Sequence, residues 1–249
     1  MPPICFHLGI ADEAISRLRH PTVEQDRGSF FLGCTAPDIR FFIGATRDET
    51  HFFPLDSEEP VSGVKLMFEA HPELDQHSDL SAATRSFVAG YLSHLVTDEA
   101  WIIKIYRPFF GKESSLGGDA MANLLDRLLQ FELDRRERLN CNNISTILEE
   151  LADSASMDVS FIDDSNLDRW RDFVLAVTTR KLSPEDFRNF AERYLSYVHQ
   201  IAPAQVKDFF ASFDSRLEDV LAMVPEETIR EFRQQSITDS VRAAREYLA

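Results

Sequence analysis

Cationic side chains are scarce in this chain of 249 residues: 26 Lys and Arg stand against 42 Asp and Glu, a formal net charge of −16. A deficit of that size argues against general nucleic-acid binding and against adsorption to anionic membranes, since both need basic patches. It leaves room for a small anion held by a metal ion. Cysteine is equally thin. Cys5, Cys34 and Cys141 are far apart with no Cys-x-x-Cys, which implies neither a disulfide framework nor a zinc ribbon and points to a reduced compartment. No apolar run approaches the roughly 18 residues of a membrane span. Met1 to Ile10 has neither the basic nor the apolar region of a secretory leader. The expectation is a soluble, cytoplasmic protein without a transmembrane segment. Also missing are a Gly-rich phosphate loop, a Gly-x-Ser-x-Gly elbow, a dinucleotide fingerprint, an adjacent His-Asp pair and the Glu-x-x-His of di-iron bundles.

What is present reads as helix throughout. The spacing predicts helices over Phe6–His20, Val61–Ala70, a long central stretch through Phe87–Trp101 ended by Pro108 and Gly111, Asp119–Leu139, Ile144–Ala152, Leu167–Lys181, Pro184–Ile201, Pro203–Met223 and Glu226–Leu248. Ser183-Pro184-Glu185-Asp186 is a clear helix start, with a serine cap, proline at the first helical position and acids in the first turn. Gly28 to Arg40 reads as a tight turn presenting Asp38, Thr50 to Pro54 as a loop, and Asp153 to Asp168 as a surface connection. The class is all-α, one domain over residues 1–249.

The central helix carries the chemistry. Phe87, Tyr91, His94, Asp98 and Trp101 fall in one inward row, and no Lys or Arg occurs on that helix between Arg85 and Lys104. An ionised carboxylate buried without a partner costs several kcal/mol or more. Two arrangements answer this: a metal ion bound by both groups, or a hydrogen bond from His94 to Asp98. His7, Asp38 and His51 supply further candidates upstream. Three imidazoles and two carboxylates suit zinc, and also manganese, iron or nickel.

The segments Phe6-His7, Leu32-Gly33-Cys34-Thr35-Ala36-Pro37-Asp38, Thr50-His51-Phe52 and Gly90-Tyr91-Leu92-Ser93-His94-Leu95-Val96-Thr97-Asp98 resemble the ordered motifs of the zinc-dependent phospholipase C family. That family shares its all-α fold with the S1/P1 nucleases. The resemblance covers roughly the first 110 residues. It implies one metal on His51, His94 and Asp98, and a second that Asp98 bridges and His7 also binds. Asp38 would complete the first set, as in the nucleases, or act as general base, as in the phospholipases. The family's third metal set is not assembled, because no histidine occurs between His94 and His199. The mature N-terminal Trp of secreted members is also missing; whether the Met1 amine replaces it stays open. One or two ions are expected.

The function so implied is hydrolysis of a phosphoric ester, phospholipid-like or small, by metal-bound hydroxide, with Asp38 as the catalytic residue. Two alternatives stand beside it: a metal-stabilised protein without catalysis, and a metalloenzyme recruited to non-phosphate chemistry on an apolar substrate. His71 to Asp79 reads as a solvated acidic loop, and His20 and His199 as ordinary histidines. Cys5 and Cys34 read as small buried apolar residues. The Phe doublets beginning at Phe30, Phe41 and Phe52 are chiefly core; an apolar pocket beside the metal is the other reading.

Overall fold

The computed structural model describes residues 3–53, 62–75, 79–141, 143–195 and 201–249; among them every regular element is a helix. The chain opens with α1 (Ile4–Leu18), α2 (Pro21–Gln25) and α3 (Arg27–Gly33). A 3-10 turn (Ala36–Ile39), α4 (Arg40–Ile43) and α5 (Arg47–His51) follow, then α6 (Gly63–Ala70) and a second 3-10 turn (Pro72–Leu74). The central helix is α7 (Ala82–Trp101). Beyond it come α8 (Ala120–Asn140), α9 (Ile144–Ala152), α10 (Asp164–Thr178), α11 (Pro184–Phe190), α12 (Pro203–Ala211), α13 (Phe213–Met223) and α14 (Glu226–Leu248). No helix among the described residues is long and apolar enough to cross a membrane.

Polar caps start the longer helices. Ser81 accepts from the Thr84 amide at 3.1 Å at the head of α7, and Asp119 accepts from the Ala122 amide at 2.8 Å at the head of α8. Ser183 caps α11 as expected, and Asp186 answers it in a reciprocal box.

Two apolar clusters form the core, and three helices run through both. Leu8 and Ile15 of α1, Phe87 and Leu95 of α7, and Ala244 of α14 lie in one. Phe6 and Ile10, Trp101, and Phe232 and Ile237 of the same three helices lie in the other. Sharing α1, α7 and α14 makes the two clusters one compact domain.

The approach of α3 to α7 fixes the candidate site. A Cβ on Gly33 would lie 2.0 Å from the Phe87 carbonyl oxygen, and one on Gly90 would lie 2.0 Å from that of Phe30. The two backbones therefore touch where both residues lack a side chain, and either glycine replaced by alanine forces the helices apart. That contact delivers the segment after α3, with Asp38, to the middle of α7.

Several expectations are corrected. Gly28 to Arg40 is helix and 3-10 turn, and His51 ends a short helix instead of lying in a loop. Thr46, the residue before that helix, gives its amide and hydroxyl to Glu49 at 2.7 Å each. Pro108 does not end the central helix, which continues as a π-helical segment over Ile102–Phe110 and stops at Gly111. The wider turn accommodates the missing amide. Ile103 on that segment is 52 % exposed. The Asp153–Asp168 stretch is no surface connection: Met157, Val159 and Ile162 are buried in the core. Pro203 to Met223 is two helices broken at Ser212. The end of the expected Pro184–Ile201 helix, the start of Val61–Ala70, His77, His199 and Met1 lie outside the described residues or side chains.

Candidate metal centre

All five predicted residues meet. His7 stands in the second turn of α1, Asp38 in the 3-10 turn, His51 at the end of α5, and His94 and Asp98 one turn apart on α7. His7, His51, His94 and Asp98 are no more than 2 % exposed; Asp38, with 17 % of its side chain exposed, is the open edge.

Asp98 is the hub. Its Oδ2 lies 3.2 Å from His51 Nε2 and 3.5 Å from His94 Nε2, while its Oδ1 lies 3.6 Å from His7 Nε2. His51 Nε2 is 3.3 Å from His94 Nε2 and 3.7 Å from Asp38 Oδ1. The His7 and His94 rings stack at 3.9 Å and 7°. Two ligand trios, His7–His94–Asp98 and Asp38–His51–His94, each have their donor atoms within 4.8 Å of one another.

Tautomers follow from neighbours. His94 Nδ1 lies 2.8 Å from the Cys34 carbonyl, which only accepts, so Nδ1 carries a proton and neutral His94 turns a lone pair on Nε2 toward the cluster. His51 Nδ1 lies 3.0 Å from Thr50 Oγ1, whose hydroxyl also reaches the Arg47 carbonyl at 3.4 Å. With the hydroxyl proton on that carbonyl, His51 presents a bare Nε2; with it on Nδ1 instead, Nε2 carries a proton and donates to Asp98 Oδ2 at 3.2 Å. In the first arrangement two lone pairs face each other at 3.3 Å and repel unless a proton or a cation lies between them.

Without an ion the electrostatics divide the imidazoles, favouring neutral His7 and His51 and a proton on His94. Burial, then the neighbouring His94, lowers His7 to about 4, and burial with Arg47 lowers His51 to about 3, so both imidazoles are neutral at pH 7. Burial opposes charge on His94 as well, but Asp98 outweighs it and its pKa is raised. Burial would raise Asp98 and Asp38; His94 foremost, followed by the other imidazoles, holds both carboxylates ionised instead.

Arg47, which the pattern around Asp98 does not announce, also belongs to the cluster. Four residues before His51 on α5, it places Nη2 3.2 Å from Asp98 Oδ2 with only 9 % of its side chain exposed. The counter-charge absent from α7 thus comes from another helix. The signal that exposes it is the Thr46-Arg47-Asp48-Glu49 capping box, which makes the segment helical and puts Arg47 and His51 on one face. Phe52 then takes φ of 60°, a left-handed backbone uncommon outside glycine, and ends the helix right after the candidate ligand. Tyr91 Oη donates to the Thr50 carbonyl and ties α5 to α7. Trp170 Nε1 donates to Thr35 Oγ1 at 3.1 Å and steadies the turn carrying Asp38.

The residues fit a divalent ion. Bonds of about 2.0–2.2 Å around a tetrahedral ion set ligand atoms roughly 3.3 Å apart, and the Nε2 and Oδ2 separations above bracket that spacing. His7 Nε2 and Asp98 Oδ1 are buried without a hydrogen-bond partner, as are Nε and Nη1 of Arg47. An ion between the imidazoles and Asp98 would satisfy the first two.

The remaining candidates lie elsewhere. His20 caps α2, accepting from the Thr22 amide at 3.3 Å. His71 packs on Phe161 and stands 3.4 Å from Glu73, away from the cluster. Cys5 and Cys34 are buried thiols whose pKa values burial pushes up. Phe30, Phe31, Phe52 and Phe53 are core. Phe42 does line a cavity that Asp38 also borders, and the Phe41 side chain lies outside the description. No protein-family model, curated protein or solved structure matches this chain.

Proposed function

We propose that this protein is a metal-dependent hydrolase of phosphoric esters, its ion held by His51, His94 and Asp98, with His7 available to the same or a second ion. Zinc suits three imidazoles and two carboxylates best, and manganese, iron or nickel would also bind. The observation that carries the reading is the pair of imidazole nitrogens facing each other across 3.3 Å beside a buried arginine with two unpartnered N–H positions. A bound divalent ion supplies Lewis acidity and lowers the pKa of water. The protein's own groups supply the rest. Asp38, ionised and facing the open side, orients the attacking water by accepting its hydrogen bond; a carboxylate held low is a weak base, which favours orientation over proton removal. Arg47 offers Nε and Nη1 to a phosphoryl oxygen while Nη2 holds Asp98. Two carboxylates set against one guanidinium and a divalent ion leave one positive charge, so the site attracts an anion although the chain is acidic.

Protein stripped with chelator and reloaded with zinc or manganese should cleave 4-nitrophenyl phosphate or its diester, and Arg47→Lys should lower kcat with metal retained. Absence of turnover with zinc, manganese, iron and nickel on lipid, nucleotide and nitrophenyl esters rejects the reading.

The depth of the cluster favours a second reading, a structural ion in a protein without catalysis, because four of the five candidate ligands are closed from solvent. Cobalt-substituted protein separates the two. A visible spectrum that shifts with added phosphate indicates an open coordination position; one that ignores every small anion indicates an enclosed ion.

A further inference from the structure

A cavity of about 740 Å³ opens beside Asp38, between the helices α4, α8, α10 and α11. One wall is an aromatic group in mutual contact: Phe42 meets Trp170 at 5.4 Å and Phe173 at 4.8 Å, and Trp170 meets Phe173 at 5.3 Å. Phe131 and Phe187 face it from α8 and α11. Phe173 and Phe190, both at this cavity, are 38 % and 40 % exposed, which places them among the few large apolar side chains left open to solvent. A space of this size and lining suits an organic body of one or two rings.

Its charge is opposite to that of the chain. Arg40, Arg127, Arg138, Arg180, Lys181 and Arg193 border it against Asp38, Asp134 and Asp186. Asp134 is taken by Arg138 at 2.7 Å and Asp186 by Arg180 at 3.3 Å, which leaves Asp38 turned to the metal centre. Lys181 and Arg193 have no ion pair among the described residues. Cations gathered at one apolar cleft of a protein with net charge −16 focus a positive potential there.

We infer that this cavity binds the organic part of the substrate, and that this part is an aromatic body bearing its own negative charge, remote from the phosphoryl group. The body lies against Phe42, Trp170 and Phe173, and its anionic end meets Lys181 and Arg193. The link to a phosphoryl group rests on the hydrolase reading; the recognition of an aromatic anion does not.

The test uses the whole protein, with and without zinc, and two fluorescent probes: 8-anilinonaphthalene-1-sulfonate and its uncharged parent, N-phenyl-1-naphthylamine. The sulfonate should saturate at one site and bind about tenfold tighter than the neutral probe. The surface double variant Lys181→Ala/Arg193→Ala should weaken the sulfonate about fivefold and leave the neutral probe unchanged, as expected for two partly solvated charges. Phe173→Ala should weaken both. Equal binding of the two probes, several unsaturable sites, or a double variant without effect overturns the inference. Tight sulfonate binding to a protein that hydrolyses no phosphoester retains the cavity assignment and rejects the hydrolase reading, so the two failures are distinguishable.

Discussion

On α8, Asp126, Gln130, Glu132 and Asp134 are buried polar groups, and each is answered. Asp126 accepts from the Trp101 indole at 3.0 Å and from Gln130 at 2.7 Å; Glu132 takes Arg135 and Arg136; Asp134 takes the Cys5 amide at 2.9 Å and Arg138. At the junction of α1, α5 and α7, an equally buried set is not answered: His7 Nε2, Asp98 Oδ1 and two nitrogens of Arg47 have no hydrogen-bond partner. Both sets belong to one core with the same cost for an unmet polar group. Satisfied polar groups hold helices together; unsatisfied ones in a shared focus are arranged for something that binds.

The comparison breaks most sharply at Arg47. In metal-free protein, Arg47→Leu leaves Asp98 without its guanidinium and should cost about 3–5 kcal/mol. Added zinc should recover most of that loss, since an ion bound only by the folded state neutralises the same carboxylate. Urea denaturation with and without zinc measures both numbers. The counterpart on α8 is Asp126→Ala, which strands the Trp101 indole and the Gln130 amide and should cost about 2–4 kcal/mol. Zinc should not recover it, and metal content should stay as in wild type.

Titration sharpens the contrast with a smaller effect. His7 is lowered to about 4 from an ordinary 6.5, so its contribution is fully present above pH 6.5 and is lost as pH falls toward 4. Metal-free wild type should therefore lose about 3 kcal/mol relative to His7→Asn over that interval. Glu99, beside the cluster and accepting from the Gly63 amide, has the opposite sign: burial raises it to about 7. Its contribution is present below about 4.5 and lost as pH rises through 7. Wild type should lose ground to Glu99→Gln across that window, and melting curves from pH 4 to 8 read both trends.

Much of this was legible from local pattern. Ile144–Ala152 and Glu226–Leu248 coincide with their predicted bounds, because cap and periodicity signals act within a few residues. The row Phe87, Tyr91, His94, Asp98, Trp101 is buried as its spacing implies, and the five candidate ligands converge. What escaped depends on distant contacts. Met157, Val159 and Ile162 lie in an irregular segment and are buried by helices remote in sequence, so no periodicity announces them. Pro108 stays inside the central helix only because a π turn widens around it. Arg47 matters through a residue 51 positions away, and a search confined to the helix of Asp98 does not find it.

The central claim is that the unanswered cluster binds a metal ion. Metal content by inductively coupled plasma mass spectrometry, on protein purified without chelator and supplemented with zinc, tests it directly in wild type, Asp98→Asn and His51→Ala. The account predicts one or two ions per wild-type chain and a loss in both variants, because the Asn amide is a neutral, poorer ligand and alanine removes a donor nitrogen. A wild type that retains no metal, while both variants lose only about 1–3 kcal/mol of stability, would contradict it and leave the cluster a buried hydrogen-bonded network closed by Arg47.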